Sequence, residues 1–338
     1  MAAPTWCRPV QILVAAAVAV AGCGPAPGDG VADASARDGA TPAYPPWTLV
    51  VLPDTQVYLD RIPGIWDVQT AWVAAHAGAE GVRLTIHVGD VTEWNSPDEW
   101  RRAAAGFAQL ERAAPLVVVP GNHDYDPAQP RVSGLAQAWS ADHLIGTPTF
   151  GGLFEAGRPD NHYQLLDING QRWLVLALEW APRPVVLRWA AQILDAVPAD
   201  HVIVVTHAFL YNDDRPYDWQ RFAGSQAFSP HSYVGPAWPL VTDGAELWNQ
   251  VLAGRANVDL VVSGHVAVDG VGRAATRTTT GHLVHQVLQD YQGDADGGAG
   301  YLRLFRFFGD RIEVETYSPW LDRALTDARN RFTLPWSP

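Results

Sequence analysis

Five polar side chains with metal-binding chemistry follow apolar runs of this sequence, at the point where each run ends. They are Asp54, Asp90, Asn122, His207 and His265. Carboxylate and amide oxygens are hard ligands and imidazole nitrogens bind first-row transition ions, so the five form a mixed nitrogen and oxygen donor set. A carboxylate at a central strand end can also bridge two ions about 3.5–4 Å apart, the spacing of two-metal hydrolases. The set predicts metal-dependent hydrolysis.

The runs that precede these side chains are typical of strands buried on both faces, because they are short and rich in valine, isoleucine and leucine. Helical segments lie between them. Residues 66–79 form one, and a second is expected to begin at Pro97, where Ser96 and Glu99 have the capping-box spacing. This alternation predicts a mostly parallel sheet with ligand-binding side chains at the carboxyl ends of its strands.

The last third of the chain has a different pattern. Residues 285–288, 301–308 and 312–317 look like strands joined by turns rich in glycine and aspartate, without strong helices between them. We expect these strands to form a second sheet that packs face to face on the first. The sequence therefore predicts one α/β domain over residues 47–338.

Composition excludes several other chemistries. The chain has 338 residues and a net charge of −13, and every one of its 23 basic residues counted as lysine or arginine is arginine. The absence of lysine excludes Schiff-base catalysis and a P-loop. The acidic balance argues against non-specific nucleic-acid binding. Neither a serine nucleophile elbow nor a glycine-rich phosphate loop is present.

The start of the chain has the pattern of an export signal followed by a tether. Arg8 precedes an apolar run over residues 10–21, which is too short to span a bilayer but suits a signal peptide. The run ends Val-Ala-Gly-Cys and resembles the lipobox of bacterial lipoproteins, which implies that residues 1–22 are removed and that Cys23 is lipidated. Residues 23–46 would then be a flexible tether at the bacterial cell envelope, on its periplasmic or extracellular face. An ordinary secretory signal is the alternative.

The order of the motifs resembles that of the calcineurin-like metallophosphoesterases. The chain reads Asp54-Thr55-Gln56, Gly89-Asp90, Gly121-Asn122-His123-Asp124, His207 and Gly264-His265, where the family has D-x-H, G-D, G-N-H-[D/E], H and G-H-x-H. The resemblance implies a four-layer αββα sandwich of two mixed sheets flanked by helices. It also implies hydrolysis of a small phosphomonoester or phosphodiester by in-line attack of a metal-bound hydroxide, with one or two divalent ions (Mn, Fe or Zn) in each chain.

The resemblance also implies a role for each residue. The bridging carboxylate corresponds to Asp90, the other ligands of one ion to Asn122, His207 and His265, and the ligands of the second ion to Asp54 and Gln56. His123 resembles the histidine that contacts the phosphate and protonates the leaving group, and Asp124 resembles the residue that orients its ring.

Two departures from the family pattern fall on the second metal site. Gln56 stands where the family usually has histidine, although D-T-Q occurs as a variant, and Ala267 replaces the second histidine of the last motif. An amide and a methyl group in place of two imidazoles should weaken binding of a transition metal. The second ion is then expected to be loosely held, to be a harder cation, or to be absent. Replacement of the lost ligand by His282 or His285 is an alternative.

Structural explanations also stay open for several of these side chains. Asp54 would then be a turn residue, His123 and His207 structural histidines, and Gln56 a residue that binds nothing. His87, inside an apolar run, is expected to be a core histidine rather than a ligand. The alternative function is that of a degraded relative that binds metal or a phosphate ligand with little catalysis.

Overall fold

The structure, a computed structural model, describes residues 44–126, 129, 131–233, 238 and 240–338. The predicted signal peptide, the lipidated Cys23 and nearly all of the tether lie outside the described residues. Within those residues, no helix has both the length and the apolar character needed to cross a bilayer.

The first sheet contains seven strands and includes the three that end at Asp54, Asp90 and Asn122. Its spatial order is β13 (Arg323–Leu325), β12 (Arg311–Ser318), β11 (Leu302–Phe307), β1 (Trp47–Leu52), β2 (Val82–His87) and β3 (Leu116–Val118), and β14 (Arg331–Pro335) also pairs with β12. Strands β1, β2 and β3 are parallel to one another, whereas β11 runs antiparallel to β1.

The second sheet also contains seven strands and includes those that end at His207 and His265. Its order is β4 (Phe150–Glu155), β5 (Arg158–Ile168), β6 (Gln171–Leu178), β7 (His201–Thr206), β8 (Val258–Ser263), β10 (Leu283–Gln289) and β9 (Val271–Arg277). The four strands β6, β7, β8 and β10 are parallel, and the remaining three are antiparallel to their neighbours.

The predicted sandwich of two sheets is confirmed, but the strands of the last third are distributed differently. The sequence predicts that they build the second sheet, whereas β11 and β12 extend the first sheet next to β1. Only β10 joins the second sheet. Burial gives the reason, because β12 alternates buried and half-buried residues as an outer strand does, whereas β7 and β8 are buried throughout, as central strands are.

Helices cover the outer faces of the sandwich. They are α1 (Gln56–Arg61), α2 (Gly64–Glu80), α3 (Pro97–Glu111), α4 (Ala141–Ile145), α5 (Pro184–Ala196), α6 (Trp219–Phe222), α7 (Pro230–Tyr233) and α8 (Gly244–Leu247), which continues as a π-helical turn. The start of α3 is as predicted, since the Glu99 amide donates to Ser96 Oγ and the Ser96 amide donates to the Glu99 carboxylate.

Three apolar cores separate the four layers. Along β1, Leu49 and Val51 pack between the sheets, whereas Val50 and Leu52 pack beneath α2 and α3. This alternation follows from the period of two in a strand. A third core lies between the second sheet and α5. Burial of each such side chain stabilises the fold by about 1.5–3 kcal/mol, so the strand ends are held rigidly.

Candidate metal centre

The five side chains at the strand ends come together at one edge of the sandwich. They follow the carboxyl ends of five parallel strands, β1, β2, β3, β7 and β8, which belong to both sheets. All are buried except Asn122, which is half-buried. This is the arrangement expected where ligands bind at the carboxyl ends of parallel strands.

Four potential ligand atoms surround one point next to His207. The Nε2 atom of His207 lies 3.1 Å from Asn122 Oδ1, 3.2 Å from Asp90 Oδ2 and 3.2 Å from His265 Nδ1. Ligand atoms of Asp90, His207 and His265 all lie within 4.8 Å of one another. The spacing suits a single cation bound among the four side chains.

Hydrogen bonds outside the centre decide which atoms face it. His207 Nδ1 donates to the Val88 carbonyl at 2.9 Å, and His265 Nε2 donates to the Phe228 carbonyl at 2.8 Å. With those protons in place, the other nitrogen of each ring presents a lone pair inward. Asn122 Nδ2 donates to the Tyr233 hydroxyl at 3.1 Å, so its Oδ1 also points inward. Four acceptors without a donor therefore converge, and this arrangement requires a cation or a proton.

Two of these residues have left-handed backbone conformations. The φ angle is 47° at Asp90 and 83° at His265, a region that non-glycine residues rarely occupy. Each such residue costs about 1–3 kcal/mol, which the surrounding structure must offset. At Asp90 the offset includes a bond from the His123 amide to Asp90 Oδ1 at 2.9 Å. Strain that is kept at two converging side chains indicates a functional site.

A second group of oxygens lies beside the first and includes Asp290, which the sequence analysis does not identify. Asp290 follows β10 and is buried, as are Asp54 and Gln56. Asp54 Oδ1, Gln56 Oε1 and Asp290 Oδ2 have no hydrogen-bond partner among the described residues. The sequence signal of Asp290 is the one that marks the other sites, because the apolar run of β10 ends in Gln289-Asp290.

The charges of the carboxylates interact strongly in this buried centre. Burial, together with the negative charges of Asp290 and Asp90, raises the pKa of Asp54 well above its usual value. Burial also raises the pKa of Asp290 to about 6. Burial alone would raise the pKa of Asp90 too, but the neighbouring His207 and His123 outweigh it and lower the pKa of this carboxyl. Asp90 is therefore the carboxylate that stays ionised most readily.

The catalytic histidine predicted from the sequence, His123, lies next to this centre. Its Nδ1 donates to the Glu93 carbonyl at 3.0 Å, which leaves Nε2 free to exchange a proton. Burial would lower the pKa of His123, but the charge of Asp90 and the bond to Glu93 raise it above the ordinary value.

The structure gives Asp124 a role that differs from the predicted one. Its two carboxylate oxygens accept hydrogen bonds from the amides of Val91, Thr92 and Gly121 and from the Thr92 hydroxyl, at 2.9–3.1 Å. Those four donors occupy the acceptor positions of a carboxylate. Asp124 therefore joins the loops after β2 and β3, and the Glu93 carbonyl is the group that orients the ring of His123.

The matching family model agrees with this geometry. Residues 48–269 match the model of the calcineurin-like phosphoesterases. The chain belongs to this family. Metal-dependent phosphoester hydrolysis is thereby supported, and the converging acceptors around His207 and the unpartnered oxygens of Asp54, Gln56 and Asp290 fit divalent ions.

Several relatives of this phosphoesterase can be named. The uncharacterized protein YvnB of Bacillus subtilis (strain 168) is 27% identical over 300 residues, which cover 84% of this chain and 21% of YvnB, so the chain spans about a fifth of that relative. Similar solved structures include purple acid phosphatase PPD1 of yellow lupin (13% identity, 87% of this chain and 54% of that one, TM-score 0.48). Another is the 5′-nucleotidase precursor of Thermus thermophilus (14% identity, 86% and 55%, TM-score 0.45).

The histidines outside the phosphoesterase motifs have structural contacts. His282 Nε2 donates to Asp259 at 3.1 Å and His285 Nε2 donates to the Pro335 carbonyl at 2.7 Å, both before or early in β10, whereas the metal centre lies beyond its carboxyl end. The alternative in which one of them replaces the lost ligand is therefore wrong. His87 is a core histidine as expected, since it is buried, donates to Thr55 Oγ1 and accepts from the Gly89 amide.

Proposed function

We propose that this chain hydrolyses a small phosphomonoester or phosphodiester with divalent metal ions bound around Asp90. The observation that carries the proposal is the convergence of Asn122, His207 and His265 on Asp90, with lone pairs inward and the outer ring nitrogens bonded to carbonyls. Asp90, Asn122, His207 and His265 would hold one ion, and Asp54, Gln56 and Asp90 a second. Ions bound there would activate a water molecule and neutralise the charge of the phosphate.

The chain's own residues would supply the proton for the leaving group. His123 has its Nδ1 fixed by the Glu93 carbonyl, so Nε2 is the nitrogen that gives a proton to the departing oxygen. The position of this imidazole depends on Asp90, because the backbone amide of His123 donates to the Asp90 carboxylate. Glu99 supports the same loop by accepting hydrogen bonds from the amides of Glu93 and Trp94.

Turnover of chromogenic phosphomonoesters and phosphodiesters with added Mn²⁺ or Zn²⁺ tests the proposal. The wild-type protein should release product only when a divalent ion is present, and Asp90→Asn should remove both activity and most of the bound metal. His76→Ala, an exposed histidine on α2, serves as the control and should change neither. Tight metal binding without turnover across the panel would instead favour the degraded relative.

The proposed location is the bacterial cell envelope, with Cys23 as the lipid anchor. The apolar run over residues 10–21 and the Val-Ala-Gly-Cys sequence at its end support this proposal. The full chain expressed in a bacterial host should incorporate labelled fatty acid and partition into detergent. Cys23→Ser should abolish both properties, and a variant that stays labelled would contradict the assignment.

A further inference from the structure

Asp290 is a buried carboxylate that none of the family motifs contains. Strands β10 and β8 are parallel, with Leu288 opposite Ser263, so the chain leaves both strands at the same edge of the sheet. The Asp290 amide donates to the Gly270 carbonyl at 2.7 Å. This bond fixes Asp290 against the loop that carries His265 and Ala267, where the family has its second histidine.

Asp290 and Asp54 share one pattern of hydrogen bonding. Asp54 Oδ2 accepts from the His265 amide at 2.8 Å and Asp290 Oδ1 accepts from the Gln292 amide at 2.8 Å. The second oxygen of each carboxylate has no donor among the described residues. One oxygen is thus fixed by the backbone while the other is available, as in a carboxylate that binds a metal through a single oxygen.

The two carboxyl groups also lie within hydrogen-bonding reach of each other, and the charge of Asp90 acts on both. Three carboxylates that converge away from water repel one another strongly unless a cation lies among them. The buried and unpartnered Gln56 Oε1 adds a neutral oxygen that only a donor or a cation could satisfy.

We propose that Asp290 replaces the lost histidine as a ligand of the second metal ion and makes that site a set of oxygens from Asp54, Gln56, Asp90 and Asp290. The inference rests on the proposed function. Oxygen ligands prefer hard cations such as Mn²⁺ or Mg²⁺, whereas imidazoles suit Zn²⁺ or iron. The centre therefore has two unlike sites that share Asp90, the first with mixed nitrogen and oxygen ligands and the second with oxygen alone.

Metal binding by the full chain tests this inference without reference to activity. Protein stripped by a chelator is first loaded with one equivalent of Zn²⁺ and then titrated with Mn²⁺, and the free Mn²⁺ is measured by electron paramagnetic resonance. The wild type should bind one further Mn²⁺. Asp290→Asn should raise the Kd for Mn²⁺ by at least about tenfold, while the bound Zn²⁺, measured by elemental analysis, remains and shows that the variant is folded.

Asp296→Asn is the matched control, because Asp296 is an exposed carboxylate in the same loop. It removes the same charge without removing a buried oxygen and should leave the Kd for Mn²⁺ unchanged. Unaltered Mn²⁺ binding in Asp290→Asn would overturn the inference, as would a wild type that keeps Zn²⁺ and binds no Mn²⁺. A wild type that binds neither ion would instead contradict the proposed function itself.

A second measurement uses the wild type alone and so does not depend on how the variants fold. Crystals grown with Zn²⁺ and Mn²⁺ should show a manganese anomalous peak about 2.0–2.6 Å from Asp290 Oδ2, the range of hard-cation bonds to oxygen. A manganese peak bound by Asp54 and Asp90 but out of reach of Asp290 would overturn the inference and leave the hydrolytic proposal intact.

Discussion

His207 and His265 face each other through ring nitrogens that are 3.2 Å apart, and neither of these nitrogens carries a proton when the opposite side of its ring donates to a carbonyl. Two lone pairs at this distance repel each other. Burial and the charge of His207 lower the pKa of His265 to about 3, so protonation of this ring does not relieve the contact near neutral pH. A metal ion between the two rings would turn the repulsion into two bonds.

Metal binding should therefore stabilise the fold. We expect the melting temperature of chelator-treated protein to rise when Zn²⁺ or Mn²⁺ is added, because an ion at a hundred times its Kd contributes about 2.7 kcal/mol to the folded state. His265→Ala should lose most of this rise, whereas His76→Ala should keep it. Differential scanning calorimetry with and without metal measures the effect, and an equal rise in all three proteins would contradict the assigned ligands.

The roles assigned to Asp90 and His123 can be separated by comparing metal content with rate. His123→Ala should keep its bound metal and lower kcat by about 10²–10⁴-fold, the usual contribution of a general acid. Asp90→Ala should lose the metal together with the activity. The rate loss in His123→Ala should be smaller for a substrate whose leaving group is a good one, since such a group needs less protonation. Equal metal loss in the two variants would remove the distinction between ligand and acid.

The sequence predicts the first metal site better than the second. Strand ends are marked by apolar runs, and β1, β2, β3, β7 and β8 all lie where their runs predict. Their carboxyl ends must meet because parallel strands share a direction. The same reasoning applied to β10 would have identified Asp290, but no histidine or glycine marks that strand end as a motif, so the residue looks like the start of a turn.

The role of Asp124 could not be predicted from sequence for a different reason. Neighbouring positions in the chain suggest a contact between His123 and Asp124, whereas a short 3₁₀ turn over Asn122–Asp124 directs the two side chains to different partners. Which sheet receives β11 and β12 is likewise decided by pairing between distant segments, since β11 joins β1 across about 250 residues. Local patterns do not contain that information.

Asp124→Ala tests the structural role that the hydrogen bonds indicate. The variant leaves three buried amides and the Thr92 hydroxyl without their acceptor, so the free energy of unfolding should fall by at least about 2 kcal/mol. Urea denaturation of metal-free protein measures this change. Asp310→Ala, at an exposed turn, should change it by less than about 0.5 kcal/mol. A stable variant with a changed pH profile of activity would restore the ring-orienting role instead.

The last prediction concerns His282, which lies at the opposite end of β10 from the metal centre. Its Nε2 donates to Asp259 Oδ1 at 3.1 Å, and Asp259 Oδ2 accepts from His201 Nδ1 at 2.7 Å. The hydrogen bond with Asp259 raises the pKa of His282 above 6.5, against a smaller opposing effect of burial. The folded state therefore binds a proton more tightly than the unfolded chain. This contribution to stability is complete below about pH 6.5 and is lost as the pH rises through the pKa of the folded state.

His282→Gln should accordingly lower the free energy of unfolding at pH 5.5 and change it much less at pH 8.5. The difference should stay below about 1 kcal/mol, because the side chain is partly exposed and solvent screens the pair. Urea titrations in the presence of a chelator at the two pH values measure it without interference from metal binding. His76→Gln, an exposed histidine on α2, should show no such difference between the two pH values. An equal loss at both pH values in His282→Gln would mean that packing rather than the charged pair holds this end of β10.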